Sequence, residues 1–431
     1  MEKIEIKDFL GIKHIVLDIK QVNILIGPQA SGKSVIAKLL FYFKNFIFEI
    51  FSAAEDTKKK LDMDKDYKQK FKEYFLPSSW GNKEFTIKYS IEAEYIEVYR
   101  KKTSAKKKTS EIVLKYSNFY KEEFTDLRNF SKRENKKVVE QKIQTNLRSR
   151  LESSFNLRMN FLEYVSERIN NFSAFEQLYI PAGRSFFANL ENNIFRFLSE
   201  SNTVDPFLNH FGTSYEKIRS PITLEIVNSE SSTQKELSNE INNLSAKILC
   251  GEYFQQDGED YLKMEGARKT SIANSSSGQQ ATLPLLLILK TIGLVNFGMG
   301  GSSIYIEEPE AHIFPEAQKN IVELISTVHN ARKNNLQFFI TTHSPYILTA
   351  FNNLLQAGIL ATDATEDKIE KISRYVPKTR FLNPQEVTVY ALKHGSYQSI
   401  IDSETGLIDT NIIDDVSNDL AMQFDELLEL E

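Results

Sequence analysis

The sequence predicts an α/β fold built on short buried strands, with a second group of strands pairing antiparallel. Three observations carry that expectation. Residues 22–26 (Val-Asn-Ile-Leu-Ile) form a nearly continuous apolar run of strand length, as a strand covered on both faces requires, and a helix-compatible stretch at 35–40 follows a glycine-containing turn. Residues 304–306 and 338–341 repeat the buried-strand pattern, with a helix over 316–332 between them. Residues 3–9 and 15–19 alternate apolar and polar side chains about Gly11, which reads as two paired strands.

The remaining elements follow in order. Residues 35–76 read as helical, and Phe41, Tyr42, Phe43, Phe46, Phe48 and Phe51 are dense enough to be core rather than a platform for stacked bases. A loop at 77–82 leads into antiparallel strands at 84–89, 93–99 and 111–116, the last two joined by a lysine-rich turn at 101–108. Residues 119–176 are polar and mostly helical, too poor in heptads for a long coiled coil. A short strand at 178–180 ends at Pro181-Ala182-Gly183-Arg184-Ser185, and helices are expected over 186–199 and 232–249. Residues 253–256 and 260–265 form a hairpin about Asp257-Gly258. Near the end, Val416, Leu420, Phe424, Leu427 and Leu428 recur at helical spacing, giving an amphipathic helix with an acidic outer face.

Bulk properties narrow the class. At 431 residues the chain exceeds one average domain, and its 41% hydrophobic and 26% charged content is that of a globular protein. A single cysteine, Cys250, excludes an intramolecular disulfide and suits a reducing cytoplasm. The N-terminal residues form a charged alternating strand instead of a signal peptide, and no run approaches the ~20 apolar residues of a membrane span. Cytoplasmic localisation without a membrane partner is the expectation. The net charge of −5 hides an asymmetry: residues 100–150 hold 16 Lys/Arg against 6 Asp/Glu, whereas 401–431 hold 10 acidic residues and no basic one. Such segments are either solvated faces or a basic surface for nucleic acid or an acidic protein, with an acidic tail to shield it.

Gly27-Pro28-Gln29-Ala30-Ser31-Gly32-Lys33-Ser34 fits G-x-x-x-x-G-K-[ST], the phosphate-binding loop, between strand and helix where the mechanism needs it. Its glycines let backbone N–H groups turn inward around a β-phosphate, and the helix N-terminus behind adds a favourable partial charge. Gly27, Gln29, Ser31, Gly32, Lys33 and Ser34 are the candidate nucleotide contacts, with Lys33 bridging the β- and γ-phosphates and the Ser34 hydroxyl on Mg²⁺. ATP and Mg²⁺ are the cofactors this pattern implies.

Downstream, Ser303-Ile304-Tyr305-Ile306-Glu307-Glu308-Pro309-Glu310 places two acids at the end of an apolar strand, a Walker B element. Glu307 is positioned to reach Mg²⁺ through its water shell, and Glu308 to accept a proton from, or orient, the attacking water. Asn274-Ser275-Ser276-Ser277-Gly278-Gln279-Gln280 opens a helix-like stretch at 281–289, a second anion site in which Ser276 and Gly278 face phosphate. One protomer needs a single γ-phosphate site, so the second is expected to complete the site of another subunit. After the strand at 338–341, Thr341-Thr342-His343-Ser344-Pro345 places His343 at the sheet edge, poised to donate to the γ-phosphate.

In this order, these elements resemble the ABC-type ATPase heads shared by Rad50, SMC and OLD proteins, the AAA15 family, across residues 1 to about 360. Ser275-Ser276-Ser277-Gly278-Gln279 is similar to the ABC signature, with Ser275 and Ser277 where leucine and glycine are usual. His343 resembles the switch histidine, and Ala311-His312-Ile313-Phe314-Pro315 occupies the D-loop position. The wording of 307–312, 341–345 and 179–185 is most similar to the OLD-like branch, rich in bacterial phage-defence ATPases. For the Q-loop only Gln177 and the Arg184 loop are candidates.

The resemblance implies an ABC-type P-loop ATPase head with an antiparallel β subdomain and a helical insertion. Residues 1–118 would hold the N-terminal part of the head and 119–250 the mainly helical insertion. Residues 251–360 would complete the head, and 361–431 would form a C-terminal extension. It further implies slow ATP hydrolysis with Glu308, His343 and Lys33 catalytic, and a homo-oligomer of at least two copies. With 88 residues after His343 and no glutamate plus Asp-x-Asp set on buried strands, no nuclease is expected within the chain. That pattern resembles the ATPase subunit of PARIS-type defence systems, in which a separate TOPRIM-type nuclease effector and a phage-encoded trigger are partners. Two alternatives stay open: a nucleotide-gated scaffold with incidental hydrolysis, and a Rad50/SMC-like ATPase that binds nucleic acid.

Overall fold

All five residues of 22–26 are buried, so this strand must run through the interior of a sheet. In the computed structural model it is β3 (Val22–Ile26) of a six-stranded sheet whose other members are β7 (Glu176–Ile180), β11 (Ser302–Glu307), β12 (Leu336–Thr342), β13 (Val387–Lys393) and β14 (Ser396–Ser399). The order is β14-β13-β3-β12-β11-β7, parallel throughout except for the edge strand β14. Parallel pairing puts the C-terminal ends of β3, β7, β11 and β12 along one edge, and the strand-ending motifs collect there. The structure describes residues 1–81, 83–101, 112–140, 147–189, 204–256, 258–295, 300–393, 395–409 and 415–428.

The period of two along each strand splits the core into two layers. Leu25, Tyr179, Tyr305, Phe339 and Tyr390 point to one face, against helices Lys33–Lys44, Phe46–Glu55 and Lys60–Tyr74. Tyr179, Tyr305 and Phe339 stand side by side in register on β7, β11 and β12, with ring centroids 5.7 and 4.6 Å apart, and Phe41 abuts the first two edge-on. Ile24, Ile26, Ile304, Ile306, Phe338, Ile340 and Val389 point to the other face, where helices Pro206–Arg219, Lys235–Leu249, Ser277–Leu294, Pro315–Ala331 and Pro345–Ala361 cover them.

A second, antiparallel sheet has the order β2-β1-β4-β5-β6, from β1 (Glu2–Phe9), β2 (Ile12–Ile19), β4 (Phe85–Ile91), β5 (Glu94–Arg100) and β6 (Ile112–Tyr116). A buried ion pair ties it to the first layer. Lys44 Nζ meets Glu2 Oε1 at 2.8 Å, while Tyr89 and Gln337 donate to the same carboxylate at 2.9 Å each. A small three-stranded sheet, β10-β9-β8, is formed by β8 (Glu252–Gln256), β9 (Glu259–Lys263) and β10 (Lys269–Ser271).

Several elements depart from expectation. The helical stretch at 35–76 is three helices, broken at Asn45 and between Asp56 and Lys59. The helix expected at 232–249 begins at Lys235, because Gln234 leaves the helical region at φ −104° and ψ 52°; a separate helix, Pro221–Thr233, precedes it. Residues 182–189 form 3₁₀ turns, and the rest of the helix expected over 186–199 lies outside the described residues. Most of the lysine-rich turn at 101–108 also lies outside them. β13, β14 and the helix Pro345–Ala361 have no counterpart among the predicted elements. The central sheet takes strands from all four segments drawn in the sequence. Among the described residues, no helix is long and apolar enough to cross a membrane.

Candidate nucleotide site

The register of the parallel strands assembles the site. Ile26 of β3 lies opposite Thr342 of β12, and Thr341 lies opposite Glu307 of β11, so the chain leaves the sheet at 27, 308 and 343 on adjacent strands. Gly27 has φ 154°, and a Cβ there would collide with the carbonyl oxygen of Leu392 on β13. Gly32 (φ 99°) turns the loop into the helix starting at Lys33, with the Ile12 side chain directly beside it.

Lys33 curls into this loop. Its Nζ donates to Gly27 O at 2.7 Å, Pro28 O at 2.9 Å and Ser31 Oγ at 3.4 Å, and lies 3.3 Å from His343 Nδ1. Burial lowers the Lys33 pKa, opposed by the charges of Glu308 and Glu310. The far ring nitrogen, Nε2, lies 3.0 Å from Glu308 Oε1. A neutral imidazole accepting from Lys33 and donating to Glu308 satisfies all three groups. Glu308 takes a left-handed backbone (φ 44°), a cost of about 1 kcal/mol or more for a residue with a side chain.

Two neighbours of the motif acids have well-defined duties. Glu310 Oε1 accepts from the His343 backbone N–H at 2.6 Å and the Thr342 hydroxyl at 2.8 Å, so this carboxylate fixes the turn that carries the histidine. Glu307 is held from the β7 side: the Tyr179 hydroxyl donates to Oε1 at 2.7 Å and the Ala182 N–H to Oε2 at 3.2 Å. Burial and the Glu307 charge push the Tyr179 phenol well above its ordinary pKa, keeping it a donor.

These loops, strands and acids span most of a region that matches, over residues 1–348, the family model described as AAA ATPase domain. The chain belongs to that family. It is therefore a nucleotide-binding protein that hydrolyses ATP, on a mixed α/β core. No curated protein matches the ATPase. Solved structures similar to it include the Smc head bound to the C-winged helix domain of ScpA, at 13% identity and TM-score 0.42, covering 92% of this chain and 96% of that one. Another is the Smc head domain with an extended coiled coil bound to the C-terminal domain of ScpA derived from Pyrococcus furiosus, at 14% identity and TM-score 0.37, covering 93% and 96%. A third is the SMC head domain from Thermotoga maritima, at 12% identity and TM-score 0.35, covering 92% and 97%.

Among the described residues, no hydrogen bond joins the candidate signature segment directly to Lys33, His343 or the Glu308 side chain. Ser276 is exposed and caps helix Ser277–Leu294, its Oγ accepting from the Gln279 N–H at 3.3 Å while Gln279 Oε1 accepts back from the Ser276 N–H at 3.0 Å. Gln279 Nε2 also donates to Leu249 O at 2.7 Å, tying the cap to the preceding helix. Gly278 is buried, and a Cβ there would lie 2.5 Å from His312 O, so the glycine lets the 311–315 segment approach. In that segment Phe314 is 80% exposed, and three residues after His343 Tyr346 is 56% exposed.

Of the two Q-loop candidates, Gln177 is placed near the start of β7, opposite Ser303, which lies four residues before Glu307. It is buried there, accepting from Tyr305 OH at 2.8 Å, and cannot reach the sheet edge. Glu310 and Tyr179 stand in the quoted motifs, but only the tertiary register reveals what they hold.

The acids and the Ser34 hydroxyl form a hard oxygen set that suits Mg²⁺, and Glu310 Oε2 is buried with no hydrogen-bond partner. Among the described residues no group of three or more His, Cys, Asp or Glu side chains could hold a metal ion.

Proposed function

We propose that the ATPase works as a nucleotide-driven switch whose active site is completed by a second copy of the chain. The observation that carries this reading is that the two candidate anion-binding elements lie at different helix N-termini and share no direct hydrogen bond among the described residues. Lys33, His343 and Glu308 form one hydrogen-bonded chain, while Ser276 stands exposed at a different helix N-terminus with its cap bonds inside its own turn. In this reading Gly27, Gln29, Ser31, Gly32, Lys33 and Ser34 grip the nucleotide, and Ser34 with Glu307 holds Mg²⁺. ATP entry draws Lys33 off the loop carbonyls onto phosphate and releases His343 toward the γ-phosphate. Glu308, freed from the ring, orients the attacking water. Ser276 and the Gly278 backbone reach the partner's γ-phosphate, and Phe314 and Tyr346 supply apolar area for the second copy.

The output is assigned on the resemblance to stand-alone OLD-like ATPases: control of a separate effector, a TOPRIM-type nuclease, as the sensor and scaffold subunit of a phage-defence complex, with a phage-encoded protein as trigger. The test is the mass of the Glu308→Gln protein with and without ATP, and of whatever co-purifies with it. An ATP-dependent increase to at least a dimer supports the switch. An unchanged monomer that still binds ATP contradicts it.

A further inference from the structure

Arg184 is the largest fully buried side chain in the described protein, 0% exposed, and faces no carboxylate within hydrogen-bond distance. Its guanidinium is satisfied by main-chain carbonyls from three elements. Nη1 donates to Pro181 O at 3.2 Å in its own turn and to Glu307 O at 2.7 Å at the end of β11. Nη2 donates to Glu308 O at 2.9 Å, and Nε to Ala281 O at 2.8 Å in helix Ser277–Leu294. Desolvation lowers its pKa to about 10, against the stabilising charges of Glu310, Glu307 and Glu308, so it remains a cation at neutral pH.

A buried charge whose hydrogen bonds all go to carbonyl dipoles is a poor stabiliser, because its desolvation cost of several kcal/mol is only partly offset by carboxylates that do not bond it directly. What the planar fork does supply is rigid geometry between groups that otherwise have no direct bond. Glu308 O also accepts from the Ala311 N–H at 3.0 Å, and the Glu308 N–H donates to Thr341 O at 2.9 Å. The left-handed turn that aims the Glu308 carboxylate at His343 is thus pinned on one side by β12 and on the other by Arg184. Pro284 removes the N–H that would bond Gln280 O, which loosens the helical ladder in the turn beside Ala281. Ser276 lies five residues before Ala281 at the N-cap of the same helix, its first turn closed by the reciprocal bonds with Gln279.

We infer that Arg184 is the positioning residue that couples nucleotide occupancy at this chain's own P-loop to the orientation of the signature turn it offers a second copy. This rests on the two-copy reading above. A shift of the Glu307–Glu308 backbone on ATP binding pulls the fork, and the fork moves the Ala281 turn and Ser276 with it.

The experiment uses the full chain carrying Glu308→Gln, alone and combined with Arg184→Lys or Arg184→Met. ATP affinity and ATP-driven self-association are both measured, alongside Leu162→Ala as a core variant remote from the site. If Glu308→Gln alone binds ATP without associating, the two-copy reading fails, and this inference falls with it. If it associates, both Arg184 variants are expected to keep ATP affinity within about threefold and lose association at least tenfold, while Leu162→Ala associates normally despite a lower Tm. Association within twofold of the parent in the Arg184 variants, or an equal loss in Leu162→Ala, overturns the coupling role. Hydrogen exchange of the Glu308→Gln protein, diluted to monomer, does not depend on the Arg184 variants folding. ATP is expected to change protection at residues 278–285, and no change there overturns the inference.

Discussion

At the scale of single residues, the site is held by atoms with few alternatives. His343 has one ring nitrogen on Lys33 and the other on Glu308, so the lysine, the switch histidine and the proposed base report on one another before nucleotide arrives. Glu308→Gln keeps the shape and removes the basicity. We expect ATP affinity within a few-fold of wild type and turnover lower by about 10²–10⁴, the usual worth of a general base. Steady-state hydrolysis beside equilibrium nucleotide binding checks it, and turnover at the wild-type rate would remove Glu308 from the role. Glu310→Ala deletes the acceptor for the His343 N–H and the Thr342 hydroxyl, with the expected signature of lower kcat at nearly constant ATP affinity. The motif residues were legible because phosphate and metal chemistry demands fixed types at fixed spacings. Glu310, Tyr179 and Arg184 were not, because what they hold is defined by partners 32 to 128 positions away.

At the scale of elements, sequence pattern foretold the buried strands and the strand–turn–helix around residues 22–44, and missed what encloses them. Strand β13 is β-branched and aromatic, Val387-Thr388-Val389-Tyr390, but lies 361 positions beyond its partner β3, and no local signal announces that pairing. It explains the conformation of the loop: Gly27 packs against the Leu392 carbonyl, where no side chain fits. Gly27→Ala is therefore expected to abolish nucleotide binding by displacing the loop, with thermal unfolding and nucleotide titration on the same sample as the check. The break of the stretch 35–76 into three helices was hidden for a different reason. Its apolar periodicity runs through Asn45, which keeps helical φ and ψ at the break, so no change of composition marks it.

At the scale of the whole molecule, the ATPase is one interlocked head to which the last described strands are integral. Ending the chain at residue 360 would strip β13 and β14 and bare the edge of β3. The shortened protein is expected to aggregate or fail to bind ATP, as size-exclusion and nucleotide titration would show. Glu386, at the entry to β13, accepts from buried His329 and pairs with Lys333 at 2.8 Å. These partners, His329 first, hold its carboxyl down at about 2. The folded value lies below the unfolded one, so this stabilisation is complete above about pH 4.5 and fades as pH falls toward 2. Glu386→Gln should flatten that acid limb, removing about 2–3 kcal/mol of pH-dependent unfolding free energy.

The central claim, that one copy completes the site of another, is tested most directly by mixing two inactive proteins. Lys33→Ala lacks the phosphate grip, and Ser276→Arg blocks the exposed signature turn. In a mixed pair, one of the two sites combines an intact loop with an intact signature. The mixture is expected to regain about a quarter of wild-type turnover for random pairing into two-fold dimers. Hydrolysis no greater than the sum of the separate proteins would show that each chain completes its own site.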